Sequence, residues 1–165
     1  MELSRLLSDD GEITLVFGQN HIRASVADFT FTSKLVDGKF PDYNRVVPKN
    51  GNKTVLGDCQ ALRQGFTRAS ILSNEKYRGV RVVLTAGELK IFANNPEQEE
   101  AEEVVAVDYQ GEDLEMGFNV SYLIDVLSTL RSDQAKITLL DASNSALIES
   151  TDDSNAMYVV MPMKL

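Results

Sequence analysis

Few side chains in this sequence have the types and spacing that chemistry requires. His21 is the single histidine and Cys59 the single cysteine of 165 residues. A Cys-His dyad would need these two to meet across the intervening chain, and a Cys-rich zinc site or an intramolecular disulfide is excluded. In the alternating segment HIRASV, His21 reads more simply as a solvent-facing strand residue, and Cys59 as a small buried thiol. The ten glycines are scattered at turns such as Ala86-Gly87-Glu88 and nowhere form a strand-glycines-helix phosphate cradle. The acidic run PEQEEAEE, Pro96 to Glu103, offers carboxylates to a hard cation but lacks the spaced Asp/Asn and the glycine of a calcium loop. It reads either as a solvated loop or as a docking surface whose local negative field would register a basic partner. No catalytic residue, metal site or cofactor is therefore expected.

Binding chemistry is better represented. The formal charge is -9, yet eleven of the sixteen basic residues lie between Lys34 and Lys90, while Glu97 to Glu115 holds nine acids and no base. Arg5, Arg63, Arg68 and Arg131 lie on or beside expected helices, against only Glu2 and Asp125. Such a face could follow a phosphate backbone without reading bases, or could be ordinary helix-surface arginine. The closing segment YVVMPMKL is apolar almost to its end, whereas termini are usually polar. Its methionines suit varied apolar shapes, and Pro162 should stop the last strand from pairing further. Tyr158 to Val160 are expected to pack, with Met161 to Leu165 partly exposed and flanking a groove for a partner's hydrophobic side chains.

The elements that must position these residues recur. A strand from Lys53 to Gly57 leads to Asp58 as N-cap of a helix to about Ser70, with Leu62, Phe66 and Ala69 on one face. Three alternating strands follow: GVRVVLT from Gly79, ELKIFAN from Glu88 and EVVAVDY from Glu103. The order then repeats. A strand from Leu114 to Phe118 leads to Asn119 as N-cap and a helix to about Leu130, with Val120, Leu123, Leu127 and Leu130 inward. KITLL from Lys136, SALIE from Ser145 and MYVVMPM from Met157 complete that unit. Residues 1 to 37 read as a third copy without its leading strand, with a helix from Glu2 to Ser8 and strands EITLVF, HIRASV and FTFTSKLV. Ser8-Asp9 ahead of Ile13-Thr14-Leu15 has the spacing of Ser132-Asp133 ahead of Ile137-Thr138-Leu139.

The expected class is thus α+β, with repeated strand-helix-three-strand units whose helices lie on one face of antiparallel sheets. Two complete units form one domain, with DGKFPDYNRVVPKNGN as linker and half a domain before it. A half-domain leaves an uncovered apolar face, so the chain is expected to be the C-terminal portion of a longer protein; pairing of two half-domains from two copies is the alternative. The start turns polar at Ser8 and no run approaches membrane-spanning length, which predicts a cytoplasmic protein and no membrane partner.

FTSKLVDGKFPDYNRVVPKN, ILSNEKYRGVRV, ANNPEQEEAEE, GFNVSYLIDVL and the terminal YVVMPMKL resemble the bacterial DNA polymerase III beta subunits, the sliding clamps, through essentially the whole chain. The resemblance implies a DNA-clamp fold, three similar domains per subunit, and a head-to-tail dimeric ring with helices lining a hole for duplex DNA. On it, residues 1–44 are the second half of the middle domain and 45–165 the whole third domain. Lacking a first domain, the chain is expected not to close a native ring. The family's clamps are non-catalytic processivity factors that tether polymerase III, the clamp loader and other polymerases or repair proteins through a short hydrophobic motif. Carried onto this sequence, the third-domain side of the peptide pocket takes Pro41, Val46, Val159, Val160, Met161, Pro162, Met163 and Lys164, with Ser143 nearby. Ser143 departs from the apolar residue that would suit that wall, and Lys164 replaces a more usual arginine. The ring interface takes Ile71, Leu72, Glu97, Glu99, Glu100, Glu102 and Glu103, and the DNA-facing candidates are Arg5, Arg45, Lys49, Arg63, Arg68 and Arg78. A sheet-based adaptor unrelated to DNA, or an enzyme with a cleft of shifted titratable groups, are the competing readings.

Overall fold

A computed structural model describes residues 2–7, 11–39, 42–49, 51–152 and 156–164. Contacts divide the chain into two units, 1–41 and 42–165. Part of the expected linker therefore belongs to the second unit. Asp42 caps a 3-10 turn, Tyr43–Arg45, by accepting from the Asn44 amide at 3.1 Å.

The first unit holds a short helix α1 (Glu2–Leu6) and strands β1 (Thr14–Phe17), β2 (His21–Val26) and β3 (Phe29–Lys34), joined in an antiparallel sheet in that order. Register places Leu15 opposite Ala24 and Ala24 opposite Phe31, and likewise Phe17 opposite Ile22 and Val26 opposite Phe29. Strand alternation thus collects these apolar residues on one face, and His21, Arg23, Thr30 and Thr32 on the other. Only Ala24 is buried among the described residues of this unit; Phe17 remains 68% exposed and Phe29 57%. His21 is exposed, its Nδ1 2.6 Å from the Asn20 side-chain oxygen.

The second unit contains β4 (Lys53–Asp58), α2 (Cys59–Ile71), β5 (Gly79–Thr85), β6 (Glu88–Asn94), β7 (Glu100–Ala106), β8 (Leu114–Asn119), α3 (Val120–Thr129), β9 (Gln134–Leu139), β10 (Ala146–Ser150) and β11 (Met157–Val160). Both helices start where a side-chain oxygen captures a free amide: Asp58 accepts from Ala61 at 2.7 Å and Asn119 from Ser121 at 2.9 Å. The Cys59 amide donates to the Asp133 carbonyl and the Val120 amide to that of Arg78, both at 2.8 Å, so each helix start is tied to the residue just before the other repeat's sheet.

Each leading strand leaves its own repeat. β4 pairs with β9 to give the order β11-β10-β9-β4, and β8 pairs with β5 to give β7-β6-β5-β8. The free edges then close reciprocally, Leu56 bridging Asp108 and Gly117 bridging Met163. Between sheets and helices lies one apolar core, in which Leu62, Leu84, Ile91, Ile148, Val55, Val80 and Val120 are the largest fully buried side chains.

Two expectations change. Pro162 ends the pairing of β11 with β10, but the chain then pairs elsewhere, the Met163 amide donating to the Gly117 carbonyl at 2.9 Å. The acidic run is also not one loop, because β7 begins at Glu100. Phe92 faces Glu102 and Asn94 faces Glu100 on the outer surface of the sheet, while Glu103, opposite the buried Ile91, points to the helix side.

Candidate binding surfaces on the second unit

Three surfaces gather the residues singled out by the sequence. The first is a groove between the Tyr43–Arg45 turn and the turn joining β9 to β10. Its wall includes Val46, Ser143 and Met161, together with Arg45, Lys49, Leu140 and Ser145. One buried hydroxyl holds it together: Ser145 Oγ donates to the Val46 carbonyl at 2.6 Å. The facing turn is fixed by Asp141, which accepts from the Ser143 amide at 2.8 Å and the Asn144 amide at 3.0 Å, and from the Asn144 side chain. Those bonds, that from the Asn144 side chain foremost, hold the Asp141 carboxyl below its ordinary range. Ser143 contributes only its amide to this turn, so its hydroxyl-bearing side chain is free to form wall.

Met161 stands between two pinned residues, Val160 paired with Ala146 and Met163 with Gly117. The residue is 59% exposed. The rest of the tail stands apart from the groove lining. Val160 is a core residue, since alternation along β11 turns it inward opposite buried Ala146. Val159 is half-buried within the strand, Pro162 and Met163 are half-buried, Lys164 is exposed, and none of these five lines the groove. Pro41 lies outside the described residues. Leu140, Asn144 and Ser145 join the groove without having been singled out by the sequence, because the turn that carries them gives no local sign of what it faces.

The second surface is the helix pair. Arg63 is exposed and, like exposed Lys49, makes no ion pair among the described residues. The other expected DNA-facing cations are engaged. Arg45 meets Asp42 at 3.8 Å and Arg78 donates through Nη1 to the Ser70 carbonyl at 3.2 Å, near the C-terminus of α2, while Arg5, in the first unit, meets Glu2 at 3.1 Å. Arg68 forms a two-pronged pair with Glu103, Nε at 2.8 Å and Nη2 at 2.7 Å. These hydrogen bonds lower the Glu103 carboxyl and raise the Arg68 guanidinium. The sequence had assigned those two residues to different surfaces; here each neutralises the other. The burial of Cys59, whose thiol donates to the Leu127 carbonyl at 3.3 Å, pushes its pKa up and so disfavours the thiolate.

The third surface is an apolar-acidic corner. Ile71, 75% exposed at the end of α2, lines a recess with Asn95, Glu97 and Glu99. Asn95 organises the tight turn, donating through Nδ2 to the Glu99 carboxylate at 2.6 Å and accepting the Glu99 amide at 2.9 Å. Leu72 is half-buried, while Glu100 and Glu102 lie on the adjoining outer face of the sheet. Among the described residues no group of His, Cys, Asp and Glu side chains could hold a metal ion, and no helix is long and apolar enough to cross a membrane.

Comparison with known proteins gives a consistent answer. Residues 44–164 match the family model of the DNA polymerase III beta subunit, C-terminal domain, and residues 1–42 match that of its central domain. The beta sliding clamp of Pseudomonas putida is 60% identical over 166 aligned residues, covering 100% of this chain and 45% of that protein. That of Escherichia coli K12 is 53% identical with the same coverage. A crystal structure of the Pseudomonas aeruginosa sliding clamp superposes with a TM-score of 0.88 at 60% identity, covering 99% of this chain and 45% of that one. The chain thus spans a little under half the length of these relatives. With both of its units matched and its fold shared, the chain belongs to the DNA polymerase III beta subunit family, the beta sliding clamps.

Proposed function

We propose that this chain is the C-terminal portion of a DNA polymerase processivity factor, comprising the second half of a middle domain (1–44) and a complete third domain (45–165). It is non-catalytic and works in the cytoplasm. As part of a full ring it would encircle duplex DNA and tether polymerase III, the clamp loader and repair polymerases through a short hydrophobic motif. The observation that carries this reading is the groove in which Val46, Leu140 and Met161 expose apolar surface beside Ser143. An exposed methionine on a pinned backbone is suited to taking up a partner's apolar side chains. The corner of Ile71, Glu97 and Glu99 would meet a basic, partly apolar surface on another subunit's first domain. Arg63 and Lys49 are the cations best placed to contact phosphates.

Calorimetric titration with a Gln-Leu-Leu-Phe peptide, beside a scrambled one, tests the groove. Binding of the first only, weakened by Met161→Ala, supports the reading; equal binding of both favours a generic adaptor, and no binding removes the groove as a self-sufficient site. Shortening the tail after Pro162 is a poorer perturbation, because it also removes the Met163 bridge to β8. Sedimentation should find no closed ring, and a stable dimer with a hole wide enough for duplex DNA would overturn the half-domain assignment.

A further inference from the structure

We infer that Met161 is a reversible oxidation site through which peroxide weakens peptide binding in the groove, an inference that rests on the groove being the peptide site. Four methionines lie among the described residues, and their environments differ sharply. Met116 is buried in the core, Met163 is half-buried and paired to β8, and Met157 and Met161 are 52% and 59% exposed. Exposure of the thioether governs its access to oxidant, so Met157 and Met161 are the two that peroxide reaches first. Only Met161 lines the groove.

The step is a two-electron oxidation of the sulfur by hydrogen peroxide. One peroxide oxygen is transferred to the thioether, the O–O bond breaks, and the other oxygen leaves as water; the product is the sulfoxide, which methionine sulfoxide reductases return to the thioether. The sulfoxide places a strong hydrogen-bond acceptor where the groove offers Val46 and Leu140 as apolar neighbours. Pairing on both sides of Met161 fixes its backbone, Val160 being held by Ala146 and Met163 by Gly117, so only rotation of the side chain itself can move the oxidised group. A partner's apolar side chain seated on Met161 would then have to displace water from that oxygen, a desolvation that costs free energy unless one of the groove's own donors, on Arg45, Lys49, Ser143 or Asn144, takes the bond.

The test treats the full 165-residue chain with hydrogen peroxide, maps oxidation by peptide mass, and titrates the Gln-Leu-Leu-Phe peptide before treatment, after it, and after incubation with reductases for both sulfoxide epimers. Met157 and Met161 should oxidise together, Met163 more slowly and Met116 last. Affinity should fall about tenfold, a decade corresponding to 1.4 kcal/mol, and return on reduction. Met161→Leu supplies the discriminating ratio, since its affinity, whatever its untreated value, should not change with peroxide. Met157→Leu should still lose affinity. Equal loss in Met161→Leu, or full retention when Met161 is mapped as sulfoxide, overturns the proposal. An untreated chain that binds no peptide removes the reading of the groove, and this inference with it.

Discussion

Gly65 sits in the middle of α2, where an alanine would ordinarily gain about 1 kcal/mol of helix propensity. The packing reverses that expectation. A Cβ at this position would lie 2.8 Å from Val105 Cγ2 and 3.4 Å from Ile91 Cδ1, so the helix rests directly on β7 and β6. Val105 is a buried, β-branched strand residue with little freedom to yield. Overpacking of a core typically costs about 1–3 kcal/mol, which outweighs the propensity gain. Gly65→Ala should therefore destabilise the second unit by about 1 kcal/mol, a fall of about 0.5 M in urea midpoint at a slope near 2 kcal/mol/M. All five tyrosines fall within residues 42–165 and there is no tryptophan, so tyrosine fluorescence reports the unfolding of this unit alone. Combining it with Val105→Ala should relieve the clash and give a double variant less destabilised than the sum of the two singles, by about 1 kcal/mol or more. A higher midpoint in Gly65→Ala, or strict additivity with Val105→Ala, refutes the claim that close approach dictates this glycine.

Three further outcomes follow from particular contacts. Ser145→Ala removes a buried hydroxyl that donates to the Val46 carbonyl and should cost about 1–2 kcal/mol in urea unfolding while weakening peptide binding; unchanged values in both would show that the hydroxyl does not hold the groove. Glu103 titrates below its usual 4.5 because Arg68 favours its charged form, so the pair's stabilisation is present above the unfolded pKa and is lost as pH falls through the lowered folded one. Wild type and Glu103→Gln should accordingly converge in stability on acidification from neutral pH toward 3, and a gap independent of pH refutes the pairing as its cause. Ser143→Leu should tighten peptide binding about fivefold by adding apolar wall without touching the amide bond to Asp141, and a weaker titration would exclude this residue from the contact.

Local signals carried much of the fold. β5, β6 and β2 run over the residues whose apolar-polar alternation marked them, and Asp58 and Asn119 cap the helices expected after them, because alternation and capping act within a few residues of chain. The repeat order and the apolar face of the first three strands were legible for the same reason, as was the family itself, through runs of matching residues. Of the residues that line the groove, Val46, Ser143 and Met161 were singled out only through the resemblance, and no local signal in the chain points to them.

What the sequence could not contain is which distant segments meet. The exchange of β4 and β8 between sheets, and the return of Met163 to β8, are pairings between strands that look alike in sequence and are chosen by how the two repeats close one core. The hydroxyl bond from Ser145 to Val46 spans 99 residues and that pair's neighbours give no hint of it. The acidic run shows the same division most plainly. Its charge was evident from composition, yet whether each carboxylate serves a partner or an internal arginine depends on where β7 begins. Starting at Glu100, the two-residue strand period sends Glu100 and Glu102 outward and Glu103 toward Arg68 on the neighbouring helix.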